Sequence, residues 1–95
     1  MNVYCITFPN GKRYVGVESH TGNRLRQHIR SELIKRKAEQ VVTYAIRKYG
    51  WENCFIEYLA FSRSNEECWA LEQKYIADWN LMSRSCGYNQ SIGGE

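Results

Sequence analysis

The sequence predicts an α+β fold in which a small three-stranded antiparallel sheet is flanked by about three helices. Two segments with β-strand patterns stand on either side of a Pro-Asn-Gly loop, which is typical of a β-hairpin. A third β-like segment lies between segments whose apolar residues recur at helical spacing. With 95 residues and 43% hydrophobic content, we expect residues 1–95 to form one domain with its own core.

The loop of the hairpin fixes how its two strands, residues 3–8 and 13–17, pair with each other. Pro9 suits the first central position, and Gly11 supplies the left-handed residue of a type I turn with a G1 bulge. In that three-residue loop, residue numbers that face each other sum to 20. Tyr4 and Tyr14 then lie on the same face of the sheet as diagonal neighbours, roughly 7–8 Å apart. A two-residue loop would put them on opposite faces.

The middle of the sequence predicts two helices and the third strand. A helix from about residue 22 to residue 37 has an apolar stripe formed by Leu25, Ile29 and Leu33. Arg24 and His28, four residues apart, flank this stripe, whereas the side chains at positions 26, 30 and 37 point away from the core. A second helix at about 41–49 ends at a glycine that suits a C-cap, and residues 54–61 form the third strand.

The last helix, at about residues 65–79, presents an acidic residue toward the core. Ser64 resembles an N-cap, and Glu67 would complete a capping box. Glu72 lies in the middle of the apolar stripe, which consists of Cys68, Trp69, Tyr75, Ile76 and Trp79. A carboxylate in that position needs a partner, because an unpaired buried charge is costly. A basic residue, a metal ion or access to solvent at the sheet edge would each satisfy it.

The positive charge is concentrated in the first part of the chain. Residues 1–37 hold eight Lys and Arg against Glu18 and Glu32, a net charge of +6, whereas residues 38–95 carry −3. This distribution indicates an electropositive platform for a polyanion, and a solvated helix face is the other interpretation. If the partner is nucleic acid, the residues expected to contact it are Lys12, Arg13, Arg26 and Arg30.

The four cysteines do not form a metal-binding motif. They are far apart, and no two stand at the close spacing of a zinc ribbon. We expect reduced, non-catalytic thiols, with Cys5 in a strand and Cys68 on an apolar helix face acting as small hydrophobic residues. No signal peptide and no apolar run of ~18 residues is evident, so we expect a cytoplasmic protein with no membrane partner.

Six features in order along the chain resemble a known family. They are Tyr4 in Asn2-Val3-Tyr4, then Tyr14-Val15-Gly16, Arg24, His28, Glu72 in Leu71-Glu72-Gln73-Lys74-Tyr75-Ile76, and Gly87-Tyr88-Asn89. The set resembles the GIY-YIG nucleases, which include phage homing endonucleases, some restriction enzymes and the N-terminal domain of the UvrC repair nuclease. The resemblance covers about residues 2–94 and suggests a phage or bacterial source.

The resemblance implies an endonuclease that hydrolyses phosphodiester bonds in DNA with a single cation, Mg²⁺ or Mn²⁺. It implies the following roles: Glu72 as metal ligand, Tyr4 and Tyr14 as hydroxyls around the attacking water, Arg24 as phosphate contact, His28 as catalytic histidine and Asn89 as a residue that supports the site. We expect the acid and the two phenols to meet in an open, wet hollow.

The identity of the general base stays open between a tyrosine and His28. Tyrosine, with a pKa of about 10, is a poor base at neutral pH. A nearby cation favours its phenolate, whereas His28 has the more suitable unperturbed pKa. Arg24 beside His28 would disfavour a second positive charge, which slightly favours a tyrosine.

The sequence also departs from the family pattern and leaves other functions open. Asn2 replaces the glycine of the first motif, and the residue pattern gives no role for it. The chain ends on Gly93-Gly94-Glu95, which suggests a longer parent protein with a further DNA-binding domain, although a chain this short could be complete. The main alternative is a non-catalytic nucleic-acid-binding domain. A protein-interaction module using tryptophans is disfavoured, because only Trp51 is expected to be free.

Overall fold

The chain forms a three-stranded sheet with helices on both faces, and the computed structural model describes residues 1–19, 25–35 and 40–90. Its elements are β1 (Asn2–Thr7), β2 (Arg13–Glu18), α1 (Leu25–Lys35), α2 (Gln40–Tyr49), a short 3₁₀ helix (Trp51–Asn53), β3 (Phe55–Phe61) and α3 (Asn65–Asp78). The strand order is β2-β1-β3, and both pairings are antiparallel. The predicted α+β fold is therefore confirmed.

The hairpin between β1 and β2 has the predicted register. Tyr4 pairs with Gly16, and Ile6 pairs with Tyr14. At the loop, the Phe8 N–H donates to the Lys12 carbonyl at 2.9 Å, and Gly11 has a φ of +86°. A glycine suits this left-handed conformation because it has no Cβ. The three-residue loop thus places both tyrosines on one face.

Each face of the sheet is covered by different helices. On the face that carries Tyr4, Ile6 and Tyr14, the core includes Ile29 and Leu33 of α1 together with Val42, Ala45 and Ile46 of α2. On the other face, Val3, Cys5 and Val15 pack against Cys68 and Ile76 of α3 and against Leu81. We call these the tyrosine face and the α3 face.

Helix α3 begins as predicted but with a different partner at its cap. The Ser64 hydroxyl accepts from the Glu67 N–H at 3.2 Å. The N–H of Ser64 donates to the Ser62 hydroxyl at 3.0 Å, the place that a capping box gives to the Glu67 carboxylate. The capping-box prediction is therefore wrong in its second half, since an acceptor two residues away satisfies this donor.

The segment after α3 extends the sheet, although no strand pattern in the sequence indicated it. The Arg13 N–H donates to the Cys86 carbonyl at 3.2 Å, and the Tyr88 N–H donates to the Arg13 carbonyl at 3.0 Å. Gly87 thereby forms a parallel bridge with Arg13. This segment covers part of the outer edge of β2, which would otherwise leave backbone groups unpaired.

Three of the cysteines are buried as small apolar residues. Cys5 and Cys68 belong to the α3-face core and Cys54 to the tyrosine-face core, while Cys86 is half-buried. Burial raises the pKa of the Cys5 and Cys54 thiols. Among the described helices, none combines the length and apolar character that a membrane crossing requires.

Candidate active site

Tyr4 and Tyr14 lie side by side on the tyrosine face. Their ring centroids are 6.4 Å apart, and their planes are inclined by 44°. Their exposed fractions are only 3% and 2%, so the expectation that both phenols line an open hollow is wrong. Apolar residues of α1 and α2 belong to the same core cluster as both rings and cover this face.

The ring of Tyr4 extends across β2 at Gly16. A Cβ built on Gly16 would lie 2.6 Å from the Tyr4 hydroxyl oxygen and 2.7 Å from its Cζ. These separations are far shorter than carbon contacts of about 3.5–4.0 Å. The glycine of Tyr14-Val15-Gly16 is therefore required for space, and it lets the Tyr4 hydroxyl reach the edge strand.

Asn89 holds the edge strand between the two motif residues. Its side-chain amide donates to the Val15 carbonyl at 2.9 Å, and its Oδ1 accepts from the Val15 N–H at 3.0 Å. Both bonds are buried. Asn89 thus satisfies the two outward-facing backbone groups of Val15, the residue that joins Tyr14 to Gly16.

The segment that carries Asn89 is itself fixed by Arg84. The Arg84 guanidinium donates to the Gly87 carbonyl at 2.9 Å and to the Asn89 carbonyl at 2.8 Å. Sequence reasoning missed this residue because its partners are backbone groups in a loop. The only local signal was an arginine close to the Gly87-Tyr88-Asn89 motif.

Glu72 lies on the buried stripe of α3, between two residues of the α3-face core. Cys68 and Ile76, four residues to either side, are 0% and 1% exposed, while Glu72 is half-buried. Helix α3 packs chiefly over the edge strand β2. Glu72 therefore lies on the face of the sheet opposite the tyrosines.

Two of the predicted site residues fall partly or wholly outside the described residues. Arg24 lies in the segment 20–24, which the structure does not describe. The backbone of His28 belongs to α1, while its side chain is also outside the description. Their proposed roles therefore rest on the sequence alone.

Of the four predicted nucleic-acid contacts, Arg26 differs most from expectation. Its guanidinium donates to the carbonyls of Trp51 and Cys54, and it stacks 4.9 Å from the centroid of the Trp51 ring. The prediction that Arg26 points away from the core is wrong, because these carbonyls, which follow α2, attract the cation. Trp51, expected to be free, is half-buried under it.

The other three basic residues remain accessible to different degrees. Lys12 lies over the Tyr88 ring at 5.8 Å, and Arg13 lies over the Trp79 ring at 4.7 Å. Both side chains are half-buried, and such stacking leaves part of the cation open to other partners. Arg30 is exposed on α1.

Besides Glu72 on the α3 face, an acid that was not predicted lies on the tyrosine face. Glu18 is 7% exposed and pairs across the strands with Asn2, which is 6% exposed. Burial, with a further contribution from Glu18, raises the pKa of Tyr58, the cross-strand neighbour of Tyr4. The sequence could have indicated this position, because side chains alternate along a strand and residues 14, 16 and 18 of β2 must share a face. The Asn2 departure from the family motif thus coincides with a buried polar pair.

Comparison with known families identifies the chain. The model of the GIY-YIG catalytic domain matches residues 1–85. The chain belongs to the GIY-YIG family. It is therefore a member of a nuclease family, whose substrate is DNA and whose enzymes are generally metal-dependent.

The GIY-YIG match ends before the Gly87-Tyr88-Asn89 segment. It includes both tyrosine motifs and the α3 glutamate position, whereas Asn89 lies four residues beyond it. No curated protein and no solved structure matches the chain significantly.

Proposed function

We propose that the chain is an endonuclease that hydrolyses DNA phosphodiester bonds beside the edge strand β2. The observation that carries this proposal is the arrangement around that strand. Tyr4 and Tyr14 pack together on one face, Asn89 clamps Val15 between the motif residues, and Glu72 approaches from the other face. In a member of a nuclease family, this edge is the place where acid and phenols would act together.

The available donors fit a cation that keeps most of its water ligands. Within the described residues, no three His, Cys, Asp or Glu side chains are grouped to enclose a metal ion. Mg²⁺ is usually held by one or two carboxylates together with water and substrate phosphate oxygens, and Mn²⁺ accepts similar oxygen ligands. Glu72, half-buried rather than sealed in the core, would be the protein ligand. When bound, the cation would supply Lewis-acid stabilisation of charge on the phosphate and the departing oxygen.

The side chains of this protein would supply positioning and proton transfer. Attack of water on phosphorus requires loss of a proton. The phenolate of Tyr4 or Tyr14, or the imidazole of His28, would accept that proton. Arg24 would hold the phosphate oxygens through its planar fork of donors. Because both phenol rings are fixed by the core, their hydroxyls are preorganised and would need little reorganisation during the reaction.

In this proposal, Asn89 is a positioning residue. It touches the backbone of Val15 and neither a reacting atom nor a tyrosine hydroxyl in the bonds described above. Its contribution would be to keep β2 at a fixed distance from the following segment. Arg84 would support the same function through its two bonds to that segment.

The decisive experiment is to nick supercoiled plasmid DNA with and without Mg²⁺, using wild type, Glu72→Gln and Glu66→Gln. The two glutamates stand on the same helix, and the substitutions make the same change in charge, but Glu66 is exposed in the first turn. We expect Glu72→Gln to abolish Mg²⁺-dependent nicking while it retains the thermal stability and DNA affinity of wild type. Full activity of Glu72→Gln, in protein cleared of contaminating nuclease, would refute the assignment.

Tyr4→Phe and Tyr14→Phe test the phenols without removing the rings from the core. Each should lower the rate of nicking, and the variant that lacks the base should change the dependence of the rate on pH. His28→Ala would show that change instead if the imidazole is the base. Wild type that binds DNA and never cuts it in Mg²⁺ or Mn²⁺ would favour the non-catalytic alternative.

A further inference from the structure

A polar cavity lies between α1 and α2, away from the sheet. Its volume is about 660 Å³, and the side chains that form it include Arg30 and Ser31 of α1, Arg47 of α2 and Trp51 of the following 3₁₀ helix. Its described lining residues include none of Tyr4, Tyr14, Glu72 and Asn89. It is thus separate from the proposed catalytic edge.

The charge of this cavity favours an anion. Arg30 and Arg47 are both exposed, and in the part of the chain that the structure describes neither guanidinium makes a hydrogen bond or an ion pair. Among the described residues that line the cavity, Glu52 is the one acid beside these two cations. A guanidinium offers a planar fork of donors that matches phosphate oxygens, so two open forks facing one hollow suit a phosphate diester.

The aromatic wall of the cavity is held in place. Arg26 stacks on the ring of Trp51 and donates to its carbonyl. Its other bond, to the Cys54 carbonyl at 2.8 Å, fixes the turn that follows. Nucleic-acid-binding surfaces combine basic side chains with aromatic ones in this way, the first for phosphates and the second for sugars and bases.

The cavity is also close in sequence and helix position to the proposed catalytic residues. Gln27 and Ser31 of its wall stand one residue before and three residues after His28 on α1. Residues three apart on a helix are surface neighbours, within one turn of about 5.4 Å. A strand bound beside this part of α1 would therefore reach the cavity with a nearby phosphate.

We propose that this cavity binds a backbone phosphate of the DNA strand outside the scissile position, through Arg30 and Arg47. The identity of the strand rests on the proposed nuclease function, but the anion site itself does not. A free mononucleotide, which carries a phosphate monoester, could bind the same two guanidinium groups. The diester is favoured because a flanking site on α1 would be filled by the strand that already occupies the catalytic edge.

The test measures binding without cleavage, by fluorescence anisotropy of a labelled DNA duplex in EDTA over a range of salt concentrations. The variant is Arg30→Gln/Arg47→Gln, and the control is Arg63→Gln/Lys74→Gln, which removes two exposed positive charges elsewhere. We expect the cavity variant to bind roughly tenfold more weakly and its salt slope to fall by about 1–2, as for the loss of one or two phosphate contacts. The control should stay within about twofold of wild type, since its charges act only at long range.

Equal affinities and slopes for both double variants would overturn the proposal, because net charge alone would then explain binding. If a free mononucleotide binds tightly and displaces the duplex at concentrations near its own Kd, the assignment of the cavity to a DNA strand would be overturned. The nuclease proposal fails separately, through active Glu72→Gln. A cavity variant with weak binding beside an active Glu72→Gln would retain the phosphate site and reject the metal assignment.

Discussion

The phenol ring of Tyr4 lies directly over the Cα of Gly16 on the neighbouring strand. A Cβ at position 16 would meet the hydroxyl oxygen, Cζ and Cε1 of Tyr4 at 2.6, 2.7 and 3.0 Å. The two motifs of the hairpin are therefore one packing unit, in which the missing side chain of the second makes room for the ring of the first. The cross-strand register, which pairs these two residues, makes this contact possible.

Gly16→Ala should destabilise the protein by about 1–3 kcal/mol, the usual cost of overpacking a well-packed core. Urea denaturation would measure this change in the free energy of unfolding. In a Tyr4→Leu background, the same substitution should cost clearly less, because the ring that it meets is gone. The coupling between the two positions is the signature of the contact.

Gly11→Ala provides the matched comparison. Gly11 in the hairpin loop has a left-handed backbone conformation, with a φ of +86°, but nothing lies within 4 Å of a Cβ built there. Its substitution should cost about 1–2 kcal/mol from backbone strain, independently of Tyr4. An equal effect of Tyr4→Leu on both alanine substitutions would contradict the steric explanation.

Asn89→Ala should destabilise β2 because it leaves the Val15 N–H and carbonyl without the partners described above. Each buried group left unpaired costs about 1–3 kcal/mol. Asn89→Asp keeps an acceptor for the N–H but cannot donate to the carbonyl when ionised, so it should restore only part of the loss. Urea denaturation, together with hydrogen exchange of the Val15 amide, would measure both effects.

Asn53→Ala is the control for this amide. Asn53 is exposed, and its side chain makes one bond, to the Tyr49 carbonyl at 2.8 Å. Loss of one exposed bond should cost no more than about 1 kcal/mol. If Asn89→Ala proves as mild as this control, the clamp on β2 is not a significant source of stability.

The local features of the fold were predictable from the sequence, whereas contacts distant in sequence were not. The Pro9-Asn10-Gly11 loop determines the register of the hairpin through its own backbone geometry, so the juxtaposition of Tyr4 and Tyr14 followed correctly. The β2–Gly87 bridge depends on where the chain returns after α3, and no periodicity specifies that return. Asn10 shows the same limit, because its amide donates to the Tyr88 hydroxyl at 2.8 Å across 78 residues.

The sequence predicted which elements carry Tyr4, Tyr14 and Glu72, but not how far their side chains are buried. Helical spacing placed Glu72 correctly on the stripe with Cys68 and Ile76, yet it gave no information on which face of the sheet α3 would cover. The prediction of an open hollow was wrong because it did not account for the two helices that pack over Tyr4 and Tyr14. Position in a layer depends on the assembly of all the elements, whereas a motif records only the order of residues.

Stability should fall at alkaline pH partly because of two buried thiols. Burial raises the pKa of Cys5 and Cys54 above the unfolded value of 9.0, so the unfolded chain loses its thiol protons first. Their contribution is fully present below about pH 9 and is lost as the pH rises toward the higher pKa of the folded state. The thermal midpoint of Cys5→Ala/Cys54→Ala should therefore fall less between neutral pH and ~pH 10 than that of wild type.

Cys86→Ala serves as the comparison for the thiol experiment, since Cys86 is half-buried and belongs to neither core cluster. Its thermal midpoint should follow that of wild type over the same range. Cys86 should also react first with a thiol reagent in the native protein. A rapid reaction at Cys5 or Cys68, both 0% exposed, would contradict the burial described above.

Arg26→Gln separates a structural arginine from one that contacts DNA. The guanidinium joins α1 to the Trp51 and Cys54 carbonyls and stacks on the Trp51 ring, and glutamine can neither stack as a cation nor offer the same fork of donors. Hydrogen bonds to charged groups are worth about 1.5–3 kcal/mol, so the variant should lose at least that much stability in urea denaturation. Arg30→Gln, exposed on the same helix, should leave stability nearly unchanged and weaken DNA binding instead. If Arg26→Gln were instead stable but defective in DNA binding, Arg26 would be a DNA contact, as the sequence predicted.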